Sequence, residues 1–145
     1  MTTDVKLTKT GNIYDLTIDE NGDLENGDFF DSSLLYSLLG ERRASASEVP
    51  NSELRRGWIG NEDSDFENGS KLWLYYQARL NRDTLNSLQD EAFQGLKWFV
   101  DDNILADITT KAVLRDGFVG LEIELFRFNS KVDRRFFELW NNTGV

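Results

Sequence analysis

Between residues 12 and 18 the side chains alternate. Ile13, Asp15 and Thr17 fall on one side and Tyr14, Leu16 and Ile18 on the other, the period of two of a short β-strand. Asn21-Gly22 is a hairpin-turn signal, with Leu24-Glu25 as the start of a return strand. Glu20-Asn21-Gly22-Asp23 returns five residues later as Glu25-Asn26-Gly27-Asp28, which reads as two turns in succession. The period then changes. Leu34, Leu35, Leu38 and Leu39 form an apolar stripe that predicts a helix over about 32–44, capped by Asp31 or Ser32, with Arg42-Arg43 at its negative end. Residues 45–68 are dominated by Ser, Glu, Asn, Asp and Gly, carry the only proline at Pro50, and predict a long loop. In a compact domain a loop of that length is usually functional or covered by a partner.

Leu72, Trp73, Tyr76 and Leu80 predict a second helix over 71–80, opened by Gly69-Ser70. Leu85, Leu88, Ala92, Leu96 and Phe99 predict a third, capped by Asn81 or Asp83 and running to about 102, so that the two make a helical hairpin or a bent pair. The remainder reads as β. Ile108, Thr110, Ala112 and Leu114 line one side of a strand over 106–115, Asp116-Gly117 is a hairpin turn, and Val119, Leu121, Ile123 and Leu125 alternate through the next strand. Asn129-Ser130 marks another turn before a third strand or extended arm over 131–140. The expected class is α+β: three main helices packed on a C-terminal antiparallel β-meander, with a short N-terminal β-hairpin. One domain spans 1–145, divided into a hairpin region (1–30), a helical part with the 45–68 loop (31–103) and the meander (104–145).

Composition narrows the chemistry. A chain of 145 residues can bury a core without covalent staples. With no Cys and no His, disulfides, thiolate nucleophiles, His-containing triads and Cys- or His-ligated metal sites are excluded. A net charge of −10 argues against a general nucleic-acid binder. The charge is lopsided: residues 1–69 carry fifteen acids and six bases, residues 70–145 eleven acids and ten bases. The first residues lack an apolar segment of the signal-peptide kind, and no apolar run approaches membrane-spanning length. The expectation is a chain made in the cytoplasm, with no membrane partner.

Candidate sites are few. Counted as an EF-hand loop from Asp19, position six is Leu24 and position twelve is Phe30, so the calcium template fails at both. Glu41, Glu53 and Asp63 near the long loop offer paired carboxylates of the kind that hydrolyse glycosidic bonds, a pattern any acid-rich chain supplies. Gly57-Trp58-Ile59-Gly60 lacks the Lys and spacing of a phosphate loop. No catalytic residue, cofactor or metal site is expected, and the chain reads as a non-enzyme. Arg127-Phe128, Lys131, Arg134-Arg135 and Phe136-Phe137 form one basic, aromatic segment. It fits a strand extended by a protein partner, a protected bare edge, or a single-stranded nucleic-acid surface, in that order of preference. Its charge points to a partner arm with acidic side chains. Trp73 and Trp98 lie near helical stripes and read as core; Trp58 and Trp140 read as interface residues.

Five segments in order carry a resemblance: Gly22-Asp23-Leu24, Gly40-Glu41-Arg42-Arg43-Ala44, Arg56-Gly57-Trp58-Ile59-Gly60, Gly69-Ser70-Lys71-Leu72-Trp73-Leu74 and Leu96-Lys97-Trp98-Phe99-Val100-Asp101-Asp102. With this order and spacing the chain resembles, over roughly residues 14–115, the baseplate wedge proteins of Mu-like contractile phages. That family is similar to the sheath-initiator group, which includes the T-even baseplate wedge lysozyme-like protein. The resemblance implies a structural virion protein of the tail baseplate, present in six copies, linking wedge to first sheath ring and templating sheath assembly by β-strand augmentation. The implied wedge interface is Gly40, Glu41, Arg42, Arg43 and Trp58; the implied sheath interface is Arg127, Lys131, Arg134, Arg135, Phe137 and Trp140. Implied partners are the tail sheath protein, other wedge proteins, and tail tube or hub proteins. The alternative is a carboxylate-based, lysozyme-type peptidoglycan hydrolase of the baseplate.

Overall fold

A computed structural model describes residues 3–10, 13–24, 26–62, 67–76 and 78–141. In chain order the elements are β1 (Thr3–Val5), β2 (Leu7–Thr10), β3 (Ile13–Leu16), β4 (Asn26–Asp28), α1 (Phe29–Leu39), α2 (Arg82–Leu96), α3 (Trp98–Asp101), β5 (Asp107–Arg115), β6 (Phe118–Phe126) and β7 (Val132–Asn141). Short 3-10 turns at Ser52–Leu54, Ile59–Asn61 and Leu72–Tyr75 lie between α1 and α2.

The framework is the antiparallel sheet β5-β6-β7, with β6 in the centre. Val119, Leu121, Ile123 and Leu125 turn one face of β6 inward and are fully buried, because a period of two puts them all on one side. Asp116 and Gly117 join β5 to β6 with φ of 46° and 82°, the two positive values that a tight hairpin turn needs to match the strand twist. Between β6 and β7, Ser130 takes φ 69° and the Arg127 amide donates to the Lys131 carbonyl at 2.9 Å, closing a short loop. On the inner face, Leu88, Ala92 and Leu96 of α2 and Leu34, Leu35 and Leu38 of α1 join the sheet residues and Phe99 in one core.

α1 is buried over most of its girth, so its polar inward groups need partners. The Ser32 hydroxyl donates to the Val5 carbonyl at 2.6 Å, and the Ser37 hydroxyl accepts from the Trp98 indole at 2.9 Å. The Asn81 side chain accepts from the Thr84 amide at 2.9 Å and caps α2. Asn103, at φ 58°, stops α3, and the Ile104 and Leu105 amides return to the Phe99 carbonyl.

This architecture corrects the expectation of three main helices on a meander with one N-terminal hairpin. Among the described residues only α1 and α2 exceed one turn, with 11 and 15 residues. The expected helix over 71–80 is a four-residue 3-10 stretch, Leu72–Tyr75. Leu72 and Trp73 are both buried there, and the Trp73 indole donates to the Arg42 carbonyl at 2.9 Å. The expected third helix breaks at Lys97 into α2 and the single turn α3. α1 runs 29–39 rather than 32–44, because Gly40 begins a crossing with another segment, described below.

The N-terminus holds two small sheets rather than one hairpin: β1 pairs with β4 and β2 with β3, both antiparallel. β3 therefore finds its partner upstream, at Leu7–Thr10, and not in a return strand after Asn21-Gly22. That turn exists, with Gly22 at φ 85° and the Asp19 carboxylate accepting from the Asn21 and Asp23 amides, but among the described residues it closes no strand pair beyond the isolated bridge Ile18–Leu24. The second echo, Asn26–Asp28, is a strand and not a turn.

Candidate assembly interface

After α1 the chain crosses the segment around Gly69 and Ser70 back to back. The Ser70 amide donates to the Gly40 carbonyl at 2.8 Å and the Arg42 amide to the Ser70 carbonyl at 3.0 Å, a parallel bridge. The Ser70 hydroxyl, buried, donates to the Leu38 carbonyl at 2.6 Å. Only glycines fit the crossing. A Cβ on Gly69, at φ 101°, would lie 2.5 Å from the Gly40 carbonyl oxygen, and one on Gly95 of α2 would lie 2.8 Å from the Ser70 side chain. Three segments distant in sequence are thereby locked at one point.

The 45–62 stretch lacks long elements, yet it is tied down by arginines. Arg42 donates to the Glu67 carbonyl (2.9 Å), and Arg43 to the Arg56 and Ser52 carbonyls (both 3.0 Å). Arg55 donates to the Val49 and Pro50 carbonyls (2.7 and 2.8 Å). Arg56 reaches Glu41 at 2.7 Å and stacks on the Trp73 ring at 4.7 Å. A planar guanidinium with several fixed donors suits this task, because a loop has carbonyls with no ladder partner. Asn61 and Asn68 close the far end, the Asn61 side chain donating to the Asn68 carbonyl (3.0 Å) and accepting from its amide (2.9 Å).

The residues singled out around this corner are thus close in space, but Arg43 donates twice inside the chain and Arg42 once, its buried Nε lying 3.7 Å from the Glu67 carboxylate without a hydrogen bond. Trp58 is different: its side chain folds over Gly60, stays 55 % exposed beside Ile59 at 77 %, and lines a cleft of about 310 Å³ with Arg43, Arg56 and Glu62. Ile59 was not among the residues the sequence singled out. An apolar side chain in a polar loop is the signal that points to it.

Lys71 and Glu48 brace the same loop at 2.8 Å. The Lys71 ammonium and the Ser45 amide both donate to the Glu48 carboxylate, holding its pKa down to about 2. A carboxyl with a depressed folded pKa stabilises above its ordinary value of 4.5 and loses that contribution as pH falls toward 2. The expected result for Glu48→Gln is a smaller drop in stability between pH 6 and pH 3 than the parent shows, by under about 1 kcal/mol for so solvated a pair. Urea titrations at the two pH values measure it.

The C-terminal sheet has two edges. The β5 edge is engaged by α2, where the Ala112 amide donates to the Gln89 side-chain oxygen at 3.3 Å and the Thr110 hydroxyl to the Gln89 carbonyl at 2.9 Å. β7 is the other edge. From the Arg127–Lys131 hydrogen bond the register runs unbroken to Gly120 opposite Glu138. Antiparallel alternation therefore turns the backbone groups of Val132, Arg134, Phe136 and Glu138 to the outer edge. Val132, Arg134 and Phe136 also have exposed side chains, on the outer face of the sheet. There Arg134 meets Glu124 at 3.2 Å, Arg115 pairs with Glu122, and the Phe136 ring covers Gly120.

The basic segment divides. Lys131 and Arg134 are exposed. Arg127 bonds Asp133 at 2.5 Å and lies 4.8 Å over the Phe30 ring, and Arg135 bonds Asp31 of α1 at 2.6 Å. Phe137 and Trp140 are each 9 % exposed and belong to the core, Trp140 with Tyr76 against its ring at 4.8 Å. Neither presents a free ring to a partner. Trp73 is buried and Trp98 half-buried, packed on Phe99 at 4.0 Å. Of the candidate carboxylates, Glu41 is held by Arg56, Glu53 is exposed on a 3-10 turn, and Asp63 lies outside the described residues. Burial raises the pKa of Glu91 on α2. Among the described residues no cluster of carboxylates fit for a metal ion occurs.

Comparison with known proteins agrees with the segments quoted above. Residues 30–132 match the family model described as phage protein GP46, a span from α1 to the start of β7. The baseplate protein gp46 of Escherichia phage Mu is 31 % identical over 106 residues, covering 71 % of this chain and 73 % of that protein. The chain belongs to the GP46 family and is a Mu-like phage baseplate protein.

Proposed function

We propose that this protein is a structural component of the tail baseplate that joins the wedge to the first sheath ring and starts the sheath by accepting a strand at the β7 edge. In this reading the whole chain acts as one domain. The Gly40–Arg43 corner and Trp58 face other wedge proteins, with tube or hub proteins as further neighbours. Six copies surround the tube, and the protein is made in the host cytoplasm before it joins the virion.

The observation that carries the reading is the contrast between the two sheet edges. Gln89 engages the β5 backbone, whereas β7 turns outward the backbone of Val132, Arg134 and Phe136, where the Arg134 carbonyl takes a bond from the Arg135 guanidinium at 3.1 Å and the three amides face outward. An open edge is a template for another chain, and the exposed Lys131 at its start favours an acidic one. Arg127, Arg135, Phe137 and Trp140 serve the interface indirectly, by holding β7 in place.

Arg134→Pro is the discriminating variant. Proline is tolerated on an edge strand, but it removes the outward N–H a partner strand would use. The expected result is a folded protein that incorporates into baseplates which no longer nucleate sheath, scored by electron microscopy of assembled tails. Normal sheath on Arg134→Pro baseplates would sink the proposal. A hydrolase reading has no observation in its favour beyond the number of acids.

A further inference from the structure

Resting on the strand-addition reading above, we propose that the β2–β3 hairpin sets the length and register of the added strand: Tyr14, bonded to the Glu138 carbonyl, closes the β7 edge there and leaves Val132–Phe136 as the pairing stretch. The Tyr14 hydroxyl donates to that carbonyl at 2.7 Å, a contact between residues 124 apart in sequence. Glu138 is the fourth residue whose backbone faces outward, so an incoming strand that paired past Phe136 would have to displace this bond. Lys9, on the strand next to Tyr14, adds an ion pair to the Glu138 carboxylate at 3.6 Å.

The stop is built in. Leu7 and Tyr14 both pack against the core, so the hairpin is seated at this point. Burial and the Glu138 carboxylate push the Tyr14 pKa up to about 12, so the hydroxyl remains a donor at neutral pH. One residue further on, the ladder shifts register at Val119/Gly120, and a bulge of that kind also ends regular pairing.

The geometry describes the occupant. An extended segment of five residues covers roughly 17 Å at about 3.4 Å per residue. Its same-face side chains meet Val132, the Arg134–Glu124 ion pair and Phe136, which favours a polar side chain between two apolar ones, with an acid at the end that reaches the exposed Lys131. A second copy of this chain does not fit. Two β7 edges paired antiparallel about their centre would place Arg134 opposite Arg134, and directly opposed like charges destabilise a sheet.

Amide exchange of the full-length 15N-labelled chain tests this, followed by NMR with overlapping ten-residue synthetic peptides spanning both ends of a tail sheath protein from the same phage. The expected result is a peptide that slows exchange at Val132, Arg134 and Phe136 by about tenfold while Glu138 is unchanged. In Tyr14→Ala the protected stretch then extends to Glu138. Should Tyr14→Ala lose its dispersed spectrum, Tyr14→Phe frees the same carbonyl while keeping the ring, and the extension is read there. Protection of Glu138 in the parent, or an unchanged boundary in the folded variants, overturns the stop and leaves strand addition standing. No protection at Val132, Arg134 or Phe136 by any peptide overturns both.

Discussion

Gly69→Ala should cost about 3 kcal/mol or more of folding stability, a large part of the ~5–15 kcal/mol that holds a domain of this size together. Two causes add. The residue sits at φ 101°, where a Cβ is strained, and that Cβ would stand 2.5 Å from the Gly40 carbonyl oxygen and 2.6 Å from its carbon. The neighbour cannot yield cheaply. The Gly40 carbonyl accepts from the Ser70 amide at 2.8 Å, so moving it breaks the bridge that holds the corner. A Cβ on Gly40 would meet Tyr36 and Gly69 backbone at 2.8 and 3.1 Å, so the crossing has no slack on either side. The melting midpoint should fall by about 6 °C or more, at ~2–4 °C per kcal/mol. Gly22→Ala is the control. Gly22 has a similar φ of 85° but nothing within 4 Å of its Cβ, so it should lose about 1 kcal/mol, from strain alone. A Gly69→Ala loss no larger than the control's would mean that the crossing is looser than its distances.

Removing β7 should abolish folding, not merely bare an edge. The strand places Phe137, Leu139 and Trp140 in the core, and β6 pairs along its whole length with it. Truncating one buried Phe or Trp to Ala costs ~3–5 kcal/mol. Losing three large side chains together with the hydrogen bonds of one side of β6 therefore exceeds the whole stability of a typical domain. A chain ending at Ser130 should show no cooperative melting by circular dichroism and no near-ultraviolet signal from its remaining tryptophans. A cooperative transition in that chain would mean that α1, α2 and two strands suffice. Tests of sheath binding consequently need substitutions on the outer edge, such as Arg134→Pro, because truncation confounds the interface with the fold.

Local chemistry accounts for what the sequence made legible. β5, β6 and β7 lie within a residue or two of their expected places, because period-two alternation and the Asp116-Gly117 turn are short-range signals. The Asn81 cap and the stripe Leu88, Ala92, Leu96 located α2 for the same reason. The failures came where distant segments decide. The Leu72–Tyr75 stretch has helical spacing, but bonds from Ser70 to Leu38 and from Trp73 to Arg42 hold it in a tighter turn. β3 pairs upstream although Asn21-Gly22 advertised a downstream partner. The Gly11-Asn12 dipeptide between Thr10 and Ile13 was an equally short hairpin signal in the sequence.

The candidate surfaces divide along the same line. Trp58 in a polar loop and an edge strand rich in Lys and Arg could be read from residue types, and the ordered segments from Gly22 to Asp102 carried the family. Which arginines are spent inside the chain could not, since Arg43 bonding Ser52 and Arg56, or Arg135 bonding Asp31 across 104 residues, leaves no local trace. Nor does any periodicity separate a core Trp140 from an exposed Trp58. The amino-acid sequence by itself determined the C-terminal strands, the absence of His and Cys chemistry, and membership in a baseplate family, because these depend on neighbours in the chain or on composition. Only the tertiary structure decided what meets β7 at Glu138. There a hydroxyl and a carbonyl are brought together from opposite ends of the chain, by the seating of one small hairpin on a core that no short stretch encodes.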